Sequence, residues 1–176
     1  MTDHVSYDSK TKLFHWSSAA LILIMWLLGQ SLKFLPDGEP IITGASIHYV
    51  VGSVLTLVLL FRISWKFTKG TKLPNALPGQ WGAVAKSVHY TLYVLLALTL
   101  LLGAFALWVH GYSIFDLIKV PEFDPGNEEL KETVGELHGL FANVLLGLSA
   151  AHATMALWHH YVNKDDTLKR MLSKRD

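Results

Sequence analysis

Four long runs of this chain contain no Asp, Glu, Lys or Arg, and nothing else in the sequence restricts its fold so tightly. They lie between Leu13 and Leu32, Ile41 and Phe61, Ser87 and Phe115, and Leu137 and Asn163. A helix needs about 20 apolar residues to cross the hydrocarbon of a bilayer, and each run reaches that length. In lipid the backbone must satisfy its own hydrogen bonds, so only helices or closed barrels can span; these runs lack a barrel strand's alternation. Charged residues make up 16% of the 176 residues, against about 25% in a typical soluble domain. The expectation is an all-α integral membrane four-helix bundle, a single domain over 1–176, with helices near 9–33, 41–67, 82–111 and 128–163. Asp3 and Asp8 beside the N-terminal lysines, followed by a full-length apolar run, argue against a cleavable signal peptide.

The charges that remain orient the bundle. Lys10 and Lys12 precede the first run, and Arg62, Lys66, Lys69, Lys72 and Lys86 separate the second from the third. Lys164, Lys169, Arg170, Lys174 and Arg175 follow the fourth. These segments share one side of the membrane and hold 12 of the 15 basic residues, so both termini are expected in the cytoplasm of a bacterial inner membrane. The other side has Lys33, Lys119 and Lys131 against nine carboxylates: Asp37, Glu39, Asp116, Glu122, Asp124, Glu128, Glu129, Glu132 and Glu136. The connection with Pro74 and Pro78 reads as a surface loop, and no nucleic-acid partner is expected.

Ionisable side chains within membrane helices are costly, and by default mark function. His138 and His152 are fourteen residues apart, which returns a helix to within about 40° of its starting direction after a climb of roughly 21 Å. No cysteine is present, which excludes disulfides, thiolate iron–sulfur ligation and thioether-attached haem, and leaves any haem to histidine or methionine. A haem between two histidines needs imidazoles from different helices at one depth. Outer candidates are His48 with His138, and inner candidates are His15 with His152. The charge boundaries put each pair out of register. One inward slide of the fourth helix by about 9–13 Å corrects both, starting that helix near Glu128 and carrying it past the inner leaflet near His159.

The stripe His138, Ala142, Leu145, Ser149, His152, Ala156, His159 has small residues between its histidines, leaving room for a planar macrocycle. Gly52 near His48, and Ser18 and Ala19 near His15, have the same effect. Close helix packing competes with that reading at Gly52, Gly103 and Gly147. His89, His110 and His160 lie near helix ends and read as interfacial, and His4 is in the tail. Arg62 ends the second run, where a guanidinium suits either a haem propionate or the lipid headgroups.

At these residues the chain resembles the bacterial cytochrome b561 family of small di-haem membrane cytochromes. The resemblance rests on His15-Trp16, His48 four residues before Gly52, Glu136-Leu137-His138, Ala142-Asn143, His152 and His159-His160-Tyr161. It continues through the tail from Lys164-Asp165-Asp166-Thr167 to Leu168-Lys169-Arg170-Met171, and so covers nearly the whole chain. The four-helix core is also similar to the cytochrome b subunits of membrane hydrogenases and formate dehydrogenases. The resemblance implies two b-type haems, one between His48 and His138 toward the outside and one between His15 and His152 toward the cytoplasm. It also implies electron exchange with a quinone, and His159 matches a position associated with quinone binding. Reducing a quinone consumes protons, which a histidine with a reference pKa of about 6.5 can supply and replace.

Some stand-alone members of that family oxidise superoxide at the outer face and pass the electron to ubiquinone. An anion is steered by a cationic field, and the nine carboxylates here oppose it. Two functions follow. One is an electron wire between an outer one-electron partner and quinone. The other is a haem-bearing anchor subunit that docks a larger dehydrogenase through the acidic loop between the third and fourth helices. A haem-free transporter or scaffold has no positive signal in the sequence.

Overall fold

The structure, a computed structural model, describes residues 6–77 and 79–172. Asp3, His4, Pro78, Lys174 and Arg175 lie outside the described residues. Four long helices carry the fold: α1 (Ser9–Ser31), α2 (Glu39–Thr68), α3 (Gly79–His110) and α4 (Glu128–Trp158). A 3-10 turn, Leu32–Phe34, extends α1, and a π-helical turn, His159–Asn163, extends α4 into a short α5 (Lys169–Leu172). All four are long and apolar enough to cross a membrane. Local chemistry sets their starts: Asp8 caps α1 through the Thr11 N–H, Pro40 sits in the first turn of α2, and Asn127 caps α4 through the Leu130 N–H.

The helices turn apolar side chains outward. Leu27, Leu57, Leu60, Val94 and Leu101 are all more than half exposed to what surrounds the bundle. Such belts would aggregate in water, whereas in a bilayer they meet their solvent. Inside, Leu55, Leu59, Leu96 and Leu145 form the buried core, with Leu21, Ile22 and Met25 of α1 packed against it. Leu55 and Leu145 follow His48 and His138 by seven residues, and Leu96 follows His89 by seven on a helix running the other way. A leucine layer therefore lies about 10 Å below one set of histidines and above the other. The fold pairs α1 with α2 and α3 with α4, and α1 also touches α4. There the Trp26 indole N–H donates to Asn143 Oδ1 at 2.8 Å.

Helix limits decide the depth of each histidine. His48 lies nine residues into α2 (48 − 39) and His138 ten into α4 (138 − 128). His15 lies six residues into α1 (15 − 9), and His152 lies six before the end of α4 (158 − 152). The early start of α4 at Glu128 supplies the slide that both pairings required.

Between α3 and α4 the chain forms a hairpin, β1 (Ser113–Ile114) against β2 (Ile118–Lys119), within what the sequence suggested was plain loop. Phe115 and Asp116 turn it with φ of 51° and 55°, the left-handed pair that suits a tight hairpin but that a side chain like phenylalanine adopts at a cost. Buried Ser46 of α2 offsets this by accepting the Phe115 N–H at 2.8 Å.

At the opposite end, the side shared by both termini, Asp8 is a junction. Its carboxylate accepts from the Thr11 N–H (2.9 Å), the Thr11 hydroxyl (2.7 Å), the Trp65 indole (2.9 Å) and the Thr71 N–H (3.0 Å). The C-terminal segment joins the same surface, through Tyr7 N–H to Arg170 O, the Trp16 indole to Met171 O and the Arg170 guanidinium to Pro74 O. Partial burial alone would raise the Asp8 pKa, but the hydrogen bonds from Thr71, Thr11 and Trp65 hold it well below the usual carboxylate range. A group whose pKa is depressed on folding contributes fully above its unfolded pKa of about 3.9, and the contribution is lost as pH falls toward the folded value. Asp8→Ala is therefore expected to cost about 2 kcal/mol at neutral pH, from a lost cap and orphaned donors. Thermal unfolding in detergent at a series of pH values should show that gap to the wild type persist to about pH 4 and narrow only below.

Candidate functional site

Two clusters of imidazoles form inside the bundle, one on each side of the leucine layer. In the first, His48 of α2 and His138 of α4 have ring centroids 6.2 Å apart. In the second, His15 of α1 and His152 of α4 are 6.4 Å apart. Two imidazole nitrogens each bonded to one metal at about 2 Å put their ring centres about 6 Å apart. Both pairs have that spacing. Among the described residues no group of three or more His, Cys, Asp or Glu side chains suits a metal ion. Paired imidazoles are thus suited to a metal whose remaining ligands come from a macrocycle.

His138 is prepared for such a role. Its Nδ1 is 3.0 Å from the Thr99 carbonyl oxygen. Only a protonated Nδ1 can donate to a carbonyl, so the Nε2 lone pair is left free for a metal. The seat is built by two positions one turn apart on α3. Thr99 presents the carbonyl, and Gly103 lacks the side chain that would block the ring: a Cβ there would lie 2.9 Å from His138 Cε1. Across the cluster, a Cβ at Gly29 of α1 would lie 3.3 Å from His48 Cε1. The Nδ1 of His48 is buried without a hydrogen-bond partner, an expensive arrangement unless the ring has another task. These residues fit a haem. Of the two readings open at Gly52, the structure shows the second: it admits Met25 of α1, with the Met25 Cε at 3.2 Å from an added Cβ. That is helix packing. Gly147 has nothing within 4 Å of an added Cβ.

The second cluster includes more than its expected pair. His89 of α3 lies 5.2 Å from His152, ring to ring, closer than the 6.2 and 6.4 Å of the two facing pairs. The Arg62 guanidinium turns inward, with Nη2 3.0 Å from His15 Nδ1 and its carbon 4.9 Å from the centre of the Tyr93 ring. Lys66 lies over the same ring at 4.6 Å. Two cations therefore border this cluster, where a carboxylate-bearing cofactor gains most from them. His110, by contrast, caps the end of its own helix, with Nδ1 2.8 Å from the Ala106 carbonyl oxygen.

His159 stands apart from both clusters, seven residues beyond His152 in the π-helical turn. Such turns recur at functional sites because they re-aim one side chain. Here the turn brings Asp165 Oδ2 to 2.5 Å from His159 Nδ1, with the Asn163 amide nitrogen at 3.1 Å. Asp165 is held in turn by the Thr167 N–H at 2.9 Å. Burial alone would raise its pKa, yet hydrogen bonds from Thr167 and His159 keep the carboxyl below the usual range. The Asp165 carboxylate fixes the orientation of the His159 ring. Nothing in the sequence signalled that partnership.

The chain is similar to several known proteins over nearly its whole length. The chain is 31% identical to cytochrome b561 homolog 2 of Escherichia coli (strain K12), over 96% of this chain and 92% of that protein. It is 29% identical to cytochrome b562 of Cereibacter sphaeroides, over 99% of this chain and 100% of that one. It is 30% identical to a probable superoxide oxidase, CybB, of Yersinia pestis, over 98% of each. The family described as prokaryotic cytochrome b561 matches residues 6–174, and this membrane protein belongs to it, a family of haem b electron-transfer cytochromes.

Proposed function

We propose that the protein carries electrons across a bacterial inner membrane between a one-electron partner outside and the quinone pool. It does so on two b-type haems, one held by His48 and His138 and one by His15 and His152. The observation that carries this reading is the pair of imidazole spacings, 6.2 and 6.4 Å, at two depths of one bundle. The haems supply the one-electron chemistry, and the protein supplies ligands, depth and charge. Both termini face the cytoplasm, where the basic segments cluster.

A neutral imidazole cannot accept from Arg62 at Nδ1 and also ligate iron through Nε2, because its one proton must sit on one of those nitrogens. Ligation by His15 would thus release Arg62, which would then be free to hold a haem propionate. Quinone meets the inner haem near His159. That side chain delivers a proton to the reduced quinone and is recharged from the cytoplasm, with Asp165 holding it in place.

The 30% identity to a probable superoxide oxidase favours a second reading, with superoxide as the outer donor. Electrostatics opposes it. Lys131 is committed between Glu122 at 2.7 Å and Glu128 at 2.8 Å, and Lys33 reaches Gln30 at 2.8 Å. A vesicle assay separates the alternatives. With the chain alone, quinone in the bilayer and a membrane-impermeant reductant outside, quinone reduction should proceed with proton uptake on the side of the termini. Turnover with superoxide but not with other outer donors would favour the second reading. Full haem content without quinone reduction by the lone chain would leave the anchor-subunit role.

A further inference from the structure

Outside the ligand clusters, one group of side chains is arranged in a way that helix packing does not require. His110, Tyr112 and Tyr49 are stacked in line toward His48. The His110 and Tyr112 rings lie 4.7 Å apart at 8° between planes, and Tyr112 and Tyr49 lie 5.9 Å apart at 29°. Tyr49 then meets His48 edge-on at 6.2 Å. Tyr112 is 42% exposed, so the series runs from the surface to an imidazole of the outer pair.

The backbone is shaped to build this stack. Gly111 turns the end of α3 back with φ +61°, which lets Tyr112 fold over His110 of its own helix. An added Cβ at Gly111 would meet Glu122 Cβ at 2.9 Å, so the position excludes larger residues by space as well as by conformation. The Val120 N–H donates to the Tyr112 carbonyl at 3.3 Å and ties this residue to the far side of the hairpin. Tyrosines in a membrane interface usually sit singly, ring in the lipid boundary and hydroxyl in water. Three successive rings, two parallel to within 8° and the third tilted by 29°, that end edge-on against one histidine are a different arrangement.

We infer that Tyr112 and Tyr49 are the electronic contact between the outer surface and the haem held by His48 and His138. The inference rests on that ligand assignment. Electronic coupling decays less steeply through π systems in contact than across an open gap, so stacked rings extend the reach of a buried haem to a donor at the surface. With a haem held by His48 and His138, one electron would leave the outer donor, which is oxidised, and reduce that haem. The rings mediate coupling without being oxidised, both phenols keep their protons, and no bond is made or broken. Tyr49 and Tyr112 are positioning residues in this scheme, not catalytic ones.

The test uses the haem-loaded full chain in sealed vesicles with hexaammineruthenium(II), an impermeant one-electron reductant, added outside. Tyr49→Leu and Tyr112→Leu should each slow reduction of the outer haem about tenfold. Haem content, midpoint potentials and reduction by ubiquinol from the membrane should stay as in the wild type. Tyr49→Phe and Tyr112→Phe keep the rings and should restore the rate. Unchanged outer rates in both leucine variants would overturn the inference, as would phenylalanine variants as slow as leucine ones, which would assign the effect to the hydroxyls. Tyr112 lies at the surface, so its variants test the idea even if Tyr49→Leu fails to fold. A wild-type chain without haem at the outer pair would overturn the ligand assignment itself, and a spectrum reveals that before any rate is measured.

Discussion

His138→Ala is expected to leave the protein with one haem in place of two, and the one that remains should be the inner. On the proposed assignment a haem would be held from both helices, and the prepared Nε2 of His138 would supply one of the two bonds. His48→Ala should give the same product. His15→Ala and His152→Ala should do the reverse, losing the inner haem and keeping the outer. Pyridine haemochrome stoichiometry on purified variants, with optical redox titration to show which haem survives, checks all four. His89 is the informative control because its ring lies only 5.2 Å from His152. His89→Ala should retain both haems. Loss of a whole haem in that variant, with none lost in His152→Ala, would transfer the inner ligand role to His89.

The second large effect concerns proton delivery. His159→Ala is expected to retain both haems and slow quinone reduction about 10²-fold, the low end of what a positioned general acid contributes. Asp165→Asn should give a smaller loss, about tenfold, because the ring remains while its partner no longer holds it as a charged acceptor. Full turnover in His159→Ala, with intact haem spectra, would put the quinone elsewhere.

The features legible in the sequence were those written in residue type and spacing. Charge-free runs announced four spans, and the fourteen-residue interval put His138 and His152 on one face. Depth was legible too, because the mismatch of two pairs required α4 to begin near Glu128, where it does begin. The contacts around those histidines were not legible. Thr99 acts on His138 through a backbone carbonyl, which every residue possesses, so no side-chain pattern marks it. Gly29 and Gly103 look like any small residue of a membrane helix until a facing ring is located, and Gly52, similar by sequence, turned out to serve Met25. His89 read as interfacial because depth alone does not reveal which way a side chain turns within the bundle. Asp165 belonged to a family-like tail, yet its bond to His159 depends on a π-helical turn with no residue signature of its own. The hairpin was hidden because Phe115 adopts a conformation that its residue type disfavours, held by the distant Ser46.

The central claim is that one chain holds two haems, each between two histidines. The most direct measurement is the ratio of haem b to polypeptide in the purified wild type, by pyridine haemochrome and quantitative amino-acid analysis, with low-temperature electron paramagnetic resonance of the oxidised protein. Two haems per chain are expected, both low-spin with two imidazole ligands. A ratio of one, or a high-spin signal from half of the iron, would contradict it.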